Sequence, residues 1–169
     1  MFLLLSCLLG SSSSDRFIIE SFTALHAPIY EVYGLSGEAD SLHDLLAGRF
    51  AGEALTHAYV ENFLALTRLQ EQQTTIAIGE VRYEDVVILS RAGARLRISA
   101  QWVVEGIITH RGHSHARTNR YAAIYTLIET DAGLRIVDTR LKNLERLSGR
   151  LSAGSRGGLT PIELLEQPQ

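Results

Sequence analysis

Sulfur is nearly missing from this chain: Cys7 is its only cysteine and Met1 its only methionine. One thiol can neither close an intrachain disulfide nor build a cysteine zinc site, so cysteine usage leaves the redox compartment open. Lysine is almost absent as well, Lys142 being the only one among 16 basic residues. Arginine supplies the rest, and 19 acidic residues outweigh them to a formal net charge of −3. Bulk charge therefore gives no reason to expect a nucleic-acid partner. The chain has no Gly-rich phosphate loop, no HExxH pair and no Ser-His-Asp order that suggests a nucleophile. It has no internal repeat. No cofactor is implied. The apolar run at residues 2–9 is far short of the roughly 20 residues that span a bilayer.

What is present divides into three parts. Residues 1–15 read as an apolar stub and a serine-rich linker, residues 16–147 as one α+β domain, and residues 148–169 as a flexible tail. Leu4-Leu5-Ser6-Cys7 resembles a bacterial lipobox. The stub then acts as an export signal or membrane tether, and the protein is membrane-associated or periplasmic; the alternative is a disordered stub on a cytoplasmic protein. In the tail, Thr160, Pro161 and Glu163 have the spacing of a helix start, which would make a short docking helix or a frayed turn.

Helical spacing opens the domain. Phe17, Ile18, Phe22 and Leu25 share a face, and Pro28 ends the run. Ser41 with Asp44 predicts a capping box before a short helix over residues 42–46. A longer helix follows over residues 51–70, with Leu55, Tyr59, Phe63 and Leu66 as its core stripe and His57 solvated.

From residue 75 the period changes to strands. Four are predicted, over residues 75–89, 94–109, 114–129 and 134–144, joined by short turns. Helices first and a meander after them give α+β, with N-terminal helices packed on a long, curved four-stranded antiparallel sheet.

The register of the central hairpin follows from side chains alone. If Arg111-Gly112 is a two-residue turn, opposed residues sum to 223. Trp102 then faces Tyr121, Ala100 faces Ala123, and Ile98 faces Tyr125. One face comes out apolar and the other mainly polar, whereas a slip of one residue would mix them. Toward the turn the same inner face carries Asn119, Arg117, His115, His113 and His110, with Gly106 leaving room opposite Arg117. An apolar floor with a polar rim is the plan of a small-molecule pocket.

Three uses of that rim stay open. The strands outrun the helices and these side chains are wet. Or His110, His113 and His115 converge on a metal ion. Or Arg117, with Asn119, the histidines, Trp102 and Tyr121, holds a small polar or anionic ligand. Asp138 is expected near Tyr125, where a carboxylate beside a phenol could act as a base. Leu134 and Ile136 against Val137 and Leu141 imply a bulge between them.

The element order over residues 17–147 resembles the NTF2-like (cystatin-like α+β) superfamily. Trp102-Val-Val-Glu-Gly106, His110-Arg-Gly-His113-Ser-His115-Ala-Arg117-Thr-Asn119-Arg-Tyr121 and Asp131-Ala-Gly-Leu-Arg-Ile136 are similar to a group of bacterial proteins that are often exported or membrane-linked. Arg111 stands where that group usually has an aromatic residue, and Leu134 where it usually has tryptophan. The resemblance implies a cone-shaped α+β fold shared by isomerases, dehydratases and non-catalytic scaffolds, so it does not choose among them. The favoured expectation is a non-enzymatic binding or assembly domain for a small polar molecule or a protein partner. It would pair as a homodimer through the outer sheet face, where Val103, Ile107, Ile124 and Ile128 form an apolar patch. The alternatives are a small-molecule enzyme acting in the cone and a histidine metal site.

Overall fold

A computed structural model describes residues 7–35 and 39–148. Of the stub and linker expected at residues 1–15, residues 1–6 lie outside the described residues, as do residues 149–169 of the expected tail with its helix start at 160–165. Helix α1 covers Cys7–His26, a 3-10 helix Ala27–Gly34, α2 Ala39–Ala47 and α3 Glu53–Glu71. Strands β1 (Thr74–Ala92), β2 (Arg95–His110), β3 (His113–Thr130) and β4 (Gly133–Ser148) form one antiparallel sheet in the order β1-β2-β3-β4. This is the α+β meander that the sequence predicts.

The hairpin register holds along the whole of β2 and β3. Trp102 pairs with Tyr121, Ile98 with Tyr125 and His110 with His113, with no bulge anywhere in the ladder. Arg111 and Gly112 both adopt positive φ (49° and 77°). Two left-handed residues in a row make a turn whose twist matches that of the strands it joins.

The outer strands behave differently. Gly79, Glu84 and Leu89 are extra residues in β1, and Val137, Lys142 and Leu147 are extra residues in β4. Each bulge restores the inward direction after a fixed interval, so the inner face of β1 reads Ile76, Ile78, Val81, Tyr83, Val86, Ile88. That spacing of two, three, two, three is visible in the sequence and departs from plain alternation. Bulges bend and twist the strand that carries them, so two bulged edges flanking a regular centre curve the sheet into a trough. The bulge expected where the pattern of Leu134 and Ile136 gives way to that of Val137 and Leu141 is present, with Val137 as the extra residue.

Helix α1 and the 3-10 helix fill the trough. Phe22 and Tyr30 are buried in one core with Ile98, Trp102, Tyr121, Tyr125, Leu127 and Ile136. Helices α2 and α3 make a second core with Val32, and Leu69 joins Ile76 and Ile108 in a third near the hairpin turn. The connection between α2 and α3 is clipped to β4 at its first bulge. Ala51 N–H donates to the Ile136 carbonyl at 2.9 Å, and Ile136 N–H donates to the Arg49 carbonyl at 2.8 Å.

Several sequence expectations need correction. The serines at residues 11–14 lie within α1 and not in a linker. Serine costs a helix only about 0.5 kcal/mol per residue relative to alanine, too little to stop one. Ser41 sits inside α2, which already starts at Ala39, so it is not the cap. The buried stripe of α3 is Ala58, Asn62, Ala65 and Leu69; Leu55, Tyr59 and Leu66 flank it and Phe63 is exposed. Small alanines let α3 approach α2 closely, which turns the bulkier residues toward the margin. His57 is exposed, as the spacing predicts. Phe17 is exposed too, and only Phe22 of its expected face is fully buried. Val103 is buried although it points outward. Its neighbours across the sheet are Arg82 and Arg120, whose long stems can cover it.

Candidate functional site

The sequence leads to one end of the inner face; the structure draws attention first to the other. His26, the last residue of α1, is only 2% exposed and sits at the centre of the trough. Its ring stacks on Phe22 at 5.5 Å and meets Trp102 edge-on at 4.8 Å. Its Nδ1 lies 2.7 Å from the Tyr83 hydroxyl and its Nε2 2.7 Å from the Tyr125 hydroxyl.

The directions of these two bonds can be deduced. Burial pushes the His26 pKa down to about 3, so the ring is neutral and carries one N–H. Tyr125 is sealed in the core and bonds to His26 alone, so its O–H must donate to Nε2 or be left without an acceptor. His26 Nδ1–H then donates to Tyr83, which is only half-buried and can pass its own O–H outward. Burial raises the pKa of Tyr83, Tyr125 and Tyr30, which keeps all three phenols protonated. Trp102 Nε1–H donates to Tyr30 at 2.7 Å. Every polar atom named here has a partner, so this part of the floor is a hydrogen-bonded aromatic core.

Sequence reasoning did not find His26. The signal was available: it lies four residues after Phe22 and eight after Ile18, on the face that packs against the sheet. A histidine at a helix end passes for a solvated cap when its partners are 57 and 99 residues away.

The polar end is built from the residues that the register aligned. Asn119 and Arg117 are buried, His110 and His115 half-buried, and His113 exposed. Trp102 and Tyr121 are buried and stack at 5.4 Å, and Asn119 Nδ2–H donates to the Tyr121 hydroxyl at 3.1 Å. Tyr121 is pushed up to about 12, chiefly by burial. Trp102, Tyr121 and Asn119 thus join the core to the rim, while Arg117 and the histidines lie beyond them.

The bulges of β4 add a residue that the sequence did not point to. Arg146 pairs with Asn119 and so shares the inner face with Arg117. Burial lowers the Arg117 pKa first, and the charge of Arg146 lowers it further. Burial, Arg117, His110 and Arg146, in that order, lower His115, which stays neutral at pH 7. No carboxylate contributes to either shift. The rings of His110 and His115 meet edge-on at 5.3 Å. His115 Nε2 is buried and has no hydrogen-bond partner among the described residues.

Three sequence expectations about this region change. Gly106 does not leave space opposite Arg117. A Cβ there would meet the Ala77 carbonyl at 3.0 Å, so the glycine lets β1 pass close by. His110, His113 and His115 do not converge, and no group of three His, Cys, Asp or Glu among the described residues could hold a metal ion. Asp138 is exposed and pairs with Thr126 on the outer face, because the Val137 bulge turns it away from Tyr125. The Tyr125–Asp138 acid-base pair therefore does not exist. Arg120 bonds Glu84 and Glu145 on the outer face.

No protein-family model and no curated protein matches the chain. The intermembrane space region of the chloroplast protein ARC6 is similar in structure at a TM-score of 0.50 and 12% identity, over 72% of this chain and 94% of that one. An NTF2-like protein with a cystatin-like fold from Novosphingobium aromaticivorans superposes at a TM-score of 0.48 and 17% identity, over 81% of this chain and 90% of that one. The first likeness bears on fold alone. Helices packed on a four-stranded meander, observed directly, are the α+β architecture expected from the sequence.

Proposed function

We propose that this chain is a non-enzymatic binding or assembly domain whose polar sheet end holds a small anionic ligand. The observation that carries the reading is His115 Nε2, buried and unmatched within a set of cationic side chains that has no acid among the groups acting on it. An unmatched buried nitrogen costs about 1–3 kcal/mol, which a ligand oxygen would recover. Arg117 and Arg146 bring two charges toward one another on the same face. An oxyanion would suit the guanidinium geometry of either residue. The floor around His26 is a hydrogen-bonded aromatic core, which favours binding at the rim.

The test is thermal unfolding with inorganic phosphate or acetate, against chloride at matched ionic strength. A saturable rise in Tm that Arg146→Gln abolishes supports the site. Equal Tm in all three salts removes it.

Pairing of two copies through the outer sheet face belongs to the same proposal, supported by Val87 and Ile107, which are exposed there. Sedimentation that depends on concentration, and that Ile107→Lys abolishes, is the result expected. Membrane association or a periplasmic location rests on residues 1–15 alone. No helix among the described residues is long and apolar enough to cross a membrane.

A further inference from the structure

The geometry points to His26 as an acid-sensitive latch: protonation of its ring releases α1 from the sheet and opens the aromatic trough while the strands stay paired. The inference is independent of the anion site.

The latch follows from what surrounds the ring. Helix α1 contributes Phe22, the 3-10 helix Tyr30, β1 Tyr83, β2 Trp102 and β3 Tyr125. From β4 the same core receives Ile136, Leu141 and Leu144. The titratable groups facing His26 are thus three phenols, all held neutral, and no carboxylate is among them. The ion pairs of α1 lie at the surface: Arg16 pairs with Glu20, and Asp15 with Arg91. A proton added to His26 therefore meets no countercharge.

Protonation also breaks the hydrogen-bond order. Both ring nitrogens become donors, so Tyr125 can no longer donate to Nε2. Its hydroxyl proton is then stranded in the core, and the charge is buried as well. Both penalties vanish if α1 lifts and the ring reaches water.

The strand ladders and the α2–α3 core are built without residues of α1. Lifting α1 would uncover Trp102, Tyr83 and Tyr125, an aromatic surface that the neutral form covers with Phe22 and His26. This makes the domain a closed binder at neutral pH and an open one in acid.

The test is amide hydrogen exchange on the full chain between pH 7.5 and pH 4.5, with protection factors corrected for intrinsic exchange. A histidine moving from its ordinary value of 6.5 to about 3 makes opening about 100-fold more favourable over that range. Protection at residues 16–26 should therefore fall about 100-fold, while β2 and β3 stay protected and an apolar dye binds. In His26→Gln, which keeps a donor and an acceptor but cannot titrate, protection of α1 should be flat. The proposal fails if α1 stays protected in acid, if β2 and β3 are lost together with it, or if His26→Gln opens equally. Should His26→Gln not fold, the wild-type imidazole is followed by NMR. A neutral Nδ1–H ring that charges only as α1 is released supports the latch. Ordinary titration near 6.5 without release overturns it.

Discussion

The inner face of the sheet has two ends, built by the same strands with the same alternation, and they treat polar atoms in opposite ways. At the end under α1, the hydroxyls of Tyr30, Tyr83 and Tyr125, the Trp102 indole and both nitrogens of His26 bond to one another. At the hairpin end, Arg117, Arg146, His110 and His115 share the face, no carboxylate shifts Arg117 or His115, and the buried His115 Nε2 is left unmatched. The difference comes from what lies over each end. Helix α1 and the 3-10 helix deliver His26 and Tyr30 onto the first. Over the second, Leu69 of α3 reaches Ile76 and Ile108 but brings no hydrogen-bonding group to the histidines. Satisfied polar groups fix a structure, and unsatisfied ones invite a ligand.

The contrast can be broken most severely at Trp102. Trp102→Ala should destabilise the domain by about 3–5 kcal/mol in denaturant unfolding, since it empties the centre of the floor and leaves Tyr30 without its donor. A loss below about 1 kcal/mol would mean that the floor is not close-packed.

Acid is the next largest lever, and its sign can be worked out. The folded pKa of His26 lies below the unfolded value, so the unfolded chain binds more protons as pH falls through 6.5. Stability from this group is complete above that value and declines toward about pH 3. From pH 8 to pH 5 the loss should be about 2 kcal/mol in urea unfolding. His115 is lowered too and acts in the same direction. Glu84, held low by Arg120, loses its contribution only below the carboxylate range, so pH 5 isolates the histidines. Stability that is flat across this interval would remove the distinction drawn for His26.

A smaller effect tests the turn that aligns both ends. Gly112→Ala places a side chain at a φ of 77° and should cost about 1 kcal/mol without changing the fold. The smallest effect sharpens the contrast from the other side. His115→Leu removes the unmatched nitrogen and should leave stability unchanged or raise it by up to about 1 kcal/mol. The same change should weaken any phosphate-dependent rise in Tm. A cost as large as that at Trp102 would show that the two ends are alike.

How much of this was legible in the sequence depends on the strand. The pairing of β2 with β3 was fully readable, because plain alternation on both strands leaves one register that buries a single face. The inner face of β1 was harder, because a bulge every five residues breaks alternation while keeping its own rhythm. In β4 the bulge at Val137 was visible from the conflict between Ile136 and Val137. Its consequence, Asp138 turned outward and Arg146 turned inward, was not, since it depends on how many extra residues the strand absorbs. The stripe of α3 was misplaced because hydrophobicity ranks Phe63 above Ala58 and Ala65, whereas close helix approach prefers the small side chains.

What the sequence determined by itself is local: the turn at Arg111-Gly112, the faces of the two central strands and the order of helices before sheet. These follow from backbone preferences and from side-chain periodicity within a few residues. Which polar groups find partners was decided only in three dimensions. His26 has its hydrogen bonds because α1 folds back over strands that begin some fifty residues later, and His115 lacks one because no element does the same for it. Burial and hydrogen-bond matching are properties of what comes to lie opposite a residue, and no spacing along the chain records that.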